Sequence, residues 1–171
     1  GVALHDFNNN GKDDMVFGTD DDNIYLMYDD GSIANGFPYA TGNKIHSSPS
    51  ILDINGELII LAGSNDNHLY AINDDGSLRF AFEASAGIES SPTFVNYINS
   101  CYILFGDNDD NLYAINGDGS LRFSILTGGK VNTSPSFTKI NGEIFKKGVS
   151  TKTYYKNYLF SSTENTLYND V

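Results

Sequence analysis

The chain has 171 residues, 40% of them hydrophobic and 13% aromatic, with a formal net charge of −12. That apolar content is enough to bury a core and excludes a disordered chain, and no apolar run approaches the ~18 residues that cross a bilayer. The negative balance repels nucleic acid and anionic lipid, so neither is an expected partner.

In chain order, Gly1 to Phe7 reads as the second half of a first strand, so no signal peptide is visible in this stretch. The sharpest chemical motif follows, Asp6-Phe7-Asn8-Asn9-Asn10-Gly11-Lys12-Asp13-Asp14. Oxygen-bearing side chains fall at its first, third, fifth and ninth positions, with glycine at the sixth, where the backbone must turn sharply. Hard cations such as Ca²⁺ take six to eight oxygens, and loops of this pattern supply them from alternate positions plus a carbonyl at the seventh. The expected ligands are Asp6, Asn8, Asn10, the Lys12 backbone carbonyl and Asp14. An Asn-rich hairpin loop that binds nothing has the same composition. With two neutral ligands the affinity would be modest, because charge count tunes it.

Next comes GTDDDNIYLMYDDGS, Gly18 to Ser32, which returns as Gly63 to Ser77 and Gly106 to Ser120, with a worn copy at Ser161 to Asp170. Successive starts are 45, 43 and 55 residues apart, a period that means solenoid, propeller or array. Each copy reads as a polar tip, a half-buried strand such as Leu69-Tyr70-Ala71-Ile72, and a second turn at Asp-Gly. Ser-Pro landmarks at Pro49, Pro92 and Pro135 keep a 43-residue beat, and proline is tolerated at the first residue of a strand but not in its middle. Strands are therefore expected near 13–18, 23–28, 49–54, 57–63, 68–73, 77–83, 92–97, 101–106, 111–116 and 120–126. Four short antiparallel strands per repeat make the blade of a β-propeller. The expected blades are about 1–40, 41–83, 84–126 and an irregular 127–171. The fourth carries an insertion, Asn141 to Asn157, with Lys146, Lys147, Lys152 and Lys156, read as an elongated hairpin whose lysines keep an edge soluble or as an arm for a partner. Both ends look cut, so an incomplete or larger propeller is expected, its missing blades supplied by a longer chain or by self-association.

At these residues the chain resembles known families. DFNNNGKDDMVFGT looks like the FG-GAP (integrin-α-like, VCBS-type) repeat, which implies a calcium loop between the first two strands of a blade. The GSNDNHLYAINDDGS units with their SSP landmarks are similar to quinoprotein-like (PQQ-like) propeller repeats. The shortened loop Asp53-Ile54-Asn55-Gly56-Glu57 and the stretch Asn96-Tyr97-Ile98-Asn99 lack the oxygens, so one calcium is expected, in the first blade. Quinoprotein repeats usually carry a docking Trp; here there is none, and Phe37, Phe80 and Phe123 stand at the matching places to wedge blade against blade.

No nucleophile motif, P-loop or dinucleotide fingerprint is present, and His5, His46 and His68 have no zinc-like spacing. His68, in a turn, reads as a solvated loop residue. The single Cys101, between Tyr97 and Leu104, reads as a small packed apolar group. No enzyme is expected. The leading expectation is a calcium-stabilised, extracellular or cell-envelope propeller for recognition or adhesion, with a glycan or protein ligand. A scaffold of the bacterial envelope and the propeller part of a secreted polysaccharide-acting enzyme are the alternatives. The residues before the Ser-Pro landmarks keep an apolar middle position while the next varies as His46, Glu89 and Asn132, as a ligand-reading face would.

Overall fold

Alternating side chains make the strands and Asx-Gly turns end them. A computed structural model describes residues 1–97 and 100–140, and beyond them the backbone of 143–147, 149–151, 154–156, 159–160 and 167–168; side chains are described for 1–96 and 101–136. Asn55 and Gly56 both sit at positive φ (57° and 88°), the mirror-image turn whose twist matches its flanking strands. In the three Asp-Gly-Ser turns, Asp30, Asp75 and Asp118 each accept from the backbone N–H and the hydroxyl of the serine two residues on. The serine hydroxyl above all, then its N–H, holds each carboxyl below the usual range.

Blade one is β1 (Val2–His5), β2 (Asp14–Gly18), β3 (Asn23–Met27) and β4 (Tyr39–Ala40). Blade two is β5 (Ser50–Ile54), β6 (Glu57–Gly63), β7 (His68–Asn73) and β8 (Leu78–Glu83). Blade three is β9 (Thr93–Tyr97), β10 (Ser100–Gly106), β11 (Asn111–Asn116) and β12 (Leu121–Leu126). Each is an antiparallel meander in chain order. Beyond them run three two-stranded ladders: β13 (Ser136–Ile140) with β14 (Glu143–Lys147), β15 (Val149–Thr151) with β16 (Tyr154–Lys156), and β17 (Leu159–Phe160) with β18 (Leu167–Tyr168). The first strands of successive blades, β1, β5, β9 and β13, lie side by side. The chain is thus all-β and propeller-like, and among the described residues its sheets do not close into a ring.

The expected strands are present with ends moved by no more than one residue. Most of the worn copy at Ser161 to Asp170, Lys152 of the insertion, and Ile98-Asn99 lie outside the described residues. The register repeats: Gly18, Gly63 and Gly106 face Ile24, Leu69 and Leu112, and Phe17, Ala62 and Phe105 face Tyr25, Tyr70 and Tyr113. Blades two and three even share a bulge, at Ala71/Ile72 and Ala114/Ile115.

Blade one departs at its outer edge. Ile33 bridges Met27 as Leu78 pairs with Ile72, and Tyr39 pairs with Ile24 as Phe82 does with Leu69. Six positions separate Ile33 from Tyr39, against four between Leu78 and Phe82. The two extra residues and Pro38, which has no N–H for a ladder, reduce the fourth strand to Tyr39–Ala40. Phe37 therefore sits in this excursion and not in register with Phe80, although it still packs on the core between blades one and two. Phe80 is a wedge: it packs in the core between blades two and three, where a Cβ on Gly119 would run into its ring.

The core lies between blades. Val16, Ile24 and Leu26 of blade one pack with Ile60, Ala62 and Ile72 of blade two; Leu52, Ile59, Leu61, Leu69 and Ala71 pack with Ile103, Phe105, Tyr113 and Ile115 of blade three. Cys101 joins the second cluster as a packed side chain, and burial pushes its thiol up to about 11.

The segments that lead into each blade lock the blades together. Ile45, Ile88 and Val131 are buried and lie against Gly18, Gly63 and Gly106, where any Cβ would overlap the aliphatic side chain. Their N–H groups donate to the carbonyls of Thr19 (3.0 Å), Ser64 (2.9 Å) and Asp107 (3.1 Å) of the preceding blade. Two residues on, the buried hydroxyl of Ser47 donates to the Gly63 carbonyl (2.9 Å) and accepts from its N–H (2.8 Å). Ser90 does the same with Gly106, at 3.0 and 2.7 Å.

This packing predicts that Gly63→Ala destabilises by roughly 1–3 kcal/mol through overpacking. Gly31→Ala, in open space at φ 84°, should cost only about 1 kcal/mol of backbone strain. In a denaturation double-mutant cycle, Gly63→Ala and Ile88→Ala should couple by about 1 kcal/mol or more; strict additivity would show that the two positions do not share one contact.

Candidate functional site

Two groups of the expected site residues are built by this scaffold. The first is the loop between β1 and β2. Asp6 accepts from the N–H groups of Asn10 (Oδ1, 3.0 Å) and Gly11 (Oδ2, 2.8 Å). Asn8 Oδ1 accepts from Asn10 N–H at 3.1 Å, and Asn10 Oδ1 from Lys12 N–H at 2.9 Å. Asn9 and Gly11 at positive φ (58° and 86°) make the bend. Asp14 is fully buried at the head of β2, and its two oxygens accept from Phe7 N–H (2.9 Å) and Asp29 N–H (3.0 Å). Asp29 in turn receives Asn10 Nδ2 and Lys12 Nζ, each at 2.7 Å. The Lys12 side chain, raised in pKa by its hydrogen bond to Asp29, thus tethers the loop to the next turn.

The donors are oxygens only, in the order a hard cation wants, and each side-chain oxygen already organising the backbone keeps further lone pairs. The residues therefore fit calcium in type and order. Asp6, Asn8, Asn10, the Lys12 carbonyl and Asp14 are the groups that would hold it, and the ion would cross-link the loop to β2. Among the described residues, no three His, Cys, Asp or Glu side chains are grouped as a metal site of their own.

The second group lies where the lead-in segments meet the blade tips. Asn65 N–H bonds the Lys44 carbonyl (2.9 Å) and Asn108 N–H the Gly87 carbonyl (3.0 Å), so each tip is pinned beside the segment entering its own blade. His46 stands among side chains from three blades. Its Nε2 lies 3.1 Å from Asp20 Oδ1 of blade one; its Nδ1 lies 3.3 Å from Asn65 Nδ2 of blade two and 3.8 Å from Glu89 Oε1, which leads into blade three. The side chains of Asp20, His46 and Glu89 remain 72%, 43% and 35% exposed. Asn132 is exposed, and no hydrogen bond or ion pair joins it to this group among the described residues. Asp20 and Asn65 went unnoticed in the sequence because the tips read as turns, yet they occupy one repeat position, two residues after Gly18 and Gly63.

His68 is not a bare loop residue: its Nδ1 lies 3.0 Å from the Asp66 carbonyl and its ring 5.8 Å from that of Tyr70. Asp66 accepts from Gly42 N–H of the preceding loop (2.6 Å), His68 N–H (3.0 Å) and Tyr70 O–H (2.7 Å). Desolvation alone would raise its carboxyl, but these hydrogen bonds together hold it below the usual range. Tyr70 is pushed upward by burial and by that carboxylate.

No family model and no curated protein matches the sequence. Solved structures do match. A crystal structure of the computationally designed Ika4 protein is 13% identical, with a TM-score of 0.64 over 86% of each chain. BBS1N, crystallised in complex with ARL6DN and soaked with lead, is 14% identical, with a TM-score of 0.56 over 86% of this chain and 43% of its own. No helix of the described residues is long and apolar enough to cross a membrane. At these identities the likeness shows the fold alone: an all-β, propeller-like chain of four-stranded antiparallel blades.

Asp14→Ala should lower stability by roughly 2–4 kcal/mol even without added metal, because two N–H groups would lose a charged, buried acceptor. A loss under about 0.5 kcal/mol would mean that Asp14 is dispensable to the loop. A carboxyl depressed by folding stabilises above its unfolded pKa, and that stability is lost as pH falls through the folded value. Asp66→Asn should therefore cost stability at neutral pH and flatten the acid limb below about pH 4; an unchanged acid limb would remove Asp66 from that role.

Proposed function

We propose that this chain is a non-catalytic, calcium-stabilised β-propeller that recognises a glycan or protein outside the cell or at its envelope, with the His46 junction as its reading surface. The observation that carries the reading is the meeting of Asp20, His46, Asn65 and Glu89, contributed by three successive blades, on an exposed face. Rigid blades position loops, and loops so positioned carry binding. Both imidazole nitrogens already face neighbouring side chains, which orients the ring as part of a hydrogen-bonding surface. The FG-GAP-like order of the Asp6 to Asp14 loop and the quinoprotein-like repeats support the calcium and the extracellular setting.

Two measurements test it. Screened on glycan and secreted-protein arrays in calcium, the chain should bind, and His46→Ala or Glu89→Gln should weaken that binding about tenfold, or ~1.4 kcal/mol, with melting unchanged. Binding indifferent to both substitutions would remove the junction from the reading. Calcium at a hundredfold excess over its dissociation constant adds about 2.7 kcal/mol, so Tm should rise by roughly 5–10 °C. EDTA should reverse the rise and Asp6→Ala should abolish it; melting indifferent to calcium and EDTA would leave the loop a turn only.

A further inference from the structure

Asp29 is drawn into the Asp6 to Asp14 loop although it lies in another hairpin, in the turn after β3. Its backbone N–H donates to Asp14 Oδ1 (3.0 Å), while its carboxylate receives Asn10 Nδ2 on one oxygen and Lys12 Nζ on the other, each at 2.7 Å. The Asp29 side chain is only 16% exposed. Asn10, Lys12 and Asp14 are three of the five residues expected to hold calcium, so one residue outside the motif touches most of the set. The repeat shows that this is particular to blade one. Eleven residues after Gly18, Gly63 and Gly106 stand Asp29, Asp74 and Gly117. Asp74 is exposed, in the blade whose loop is shortened to Asp53 to Glu57, and Gly117 has no side chain to offer.

We infer that Asp29 is a positioning residue of the calcium loop: it turns the Asn10 amide so that the oxygen, not the NH₂ group, is presented within the loop. The inference rests on the calcium reading above. Both ends of the amide agree on that orientation. Lys12 N–H needs an oxygen to accept it, and Asn10 Oδ1 lies 2.9 Å away; the Asp29 carboxylate needs a donor, and receives Nδ2. A rotated amide would set donor against donor at one end and oxygen against carboxylate at the other. A neutral amide is drawn to a cation more weakly than a carboxylate is, so more of its orientation rests on the partner behind it. Such outer partners typically carry ten- to hundredfold of a site's affinity for its metal. The Lys12 ammonium offsets the Asp29 charge, so Asp29 contributes direction more than negative field.

Calorimetric titration of the full chain with calcium chloride tests it, comparing Lys12→Gln/Asp29→Asn with Lys12→Gln/Asp29→Ala and both with the parent. Each double substitution removes the ion pair and its charges; the first keeps an oxygen for Asn10 Nδ2 and the second does not. The Asp29→Asn chain is expected to bind within about threefold of the parent, and the Asp29→Ala chain about tenfold more weakly or worse. Their melting temperatures in EDTA should agree within roughly 4 °C. Equal dissociation constants in the two, or a weakening that comes only with a larger fall in EDTA melting, would overturn the positioning role and leave the calcium loop standing. A parent that binds no calcium would overturn the calcium reading, and this inference with it.

Discussion

One contact recurs where each described four-stranded blade meets the segment that follows it: an aliphatic side chain of that lead-in segment pressed on a glycine that ends the second strand of the blade before. Ile45 on Gly18, Ile88 on Gly63 and Val131 on Gly106 are the three instances. The absent Cβ lets the segment come close enough for its N–H to reach the next carbonyl along, and the buried serines then tie the segment to its own blade. A single short stretch thereby satisfies buried backbone groups in two sheets at once, as burial demands. The Phe80 wedge acts farther out, on the third and fourth strands, and blade one manages with Phe37 in an irregular edge.

Much of this was legible in the chain. The Ser-Pro beat placed the first strands because proline cannot sit mid-ladder, and the Asx-Gly turns closed the hairpins because only such residues accept positive φ cheaply. The constant apolar residue at Ile45, Ile88 and Val131 was visible as a register. Its partner glycines were read only as strand ends, because close approach between blades leaves no periodicity in a sequence. The fourth strand of blade one was missed for a related reason: Ala34 to Pro38 shift the register by two residues, and local propensity cannot see a ladder partner.

The candidate sites divide along the same line. The Asp6 to Asp14 loop is local, so its order could be read directly, and the structure adds that Asp14 is buried and organises two backbone N–H groups. The His46 junction is not local. Asp20, His46, Asn65 and Glu89 span about seventy residues, and they meet because repeat geometry sets each lead-in segment between the tip of the preceding blade and the tip of its own. Varied polar residues at fixed repeat positions were the trace available, and they named His46 and Glu89 but neither Asp20 nor Asn65.

Native-state hydrogen exchange at the amides of Ile45, Ile88 and Val131 tests the lead-in lock most directly. If these segments hold blade to blade, their protons exchange as slowly as those of the central strands β6 and β10, with opening free energies near that of global unfolding. Exchange at the rate of the exposed turns around Gly31 and Gly56 would contradict it, and would place the cohesion of the blades in the sheet faces alone.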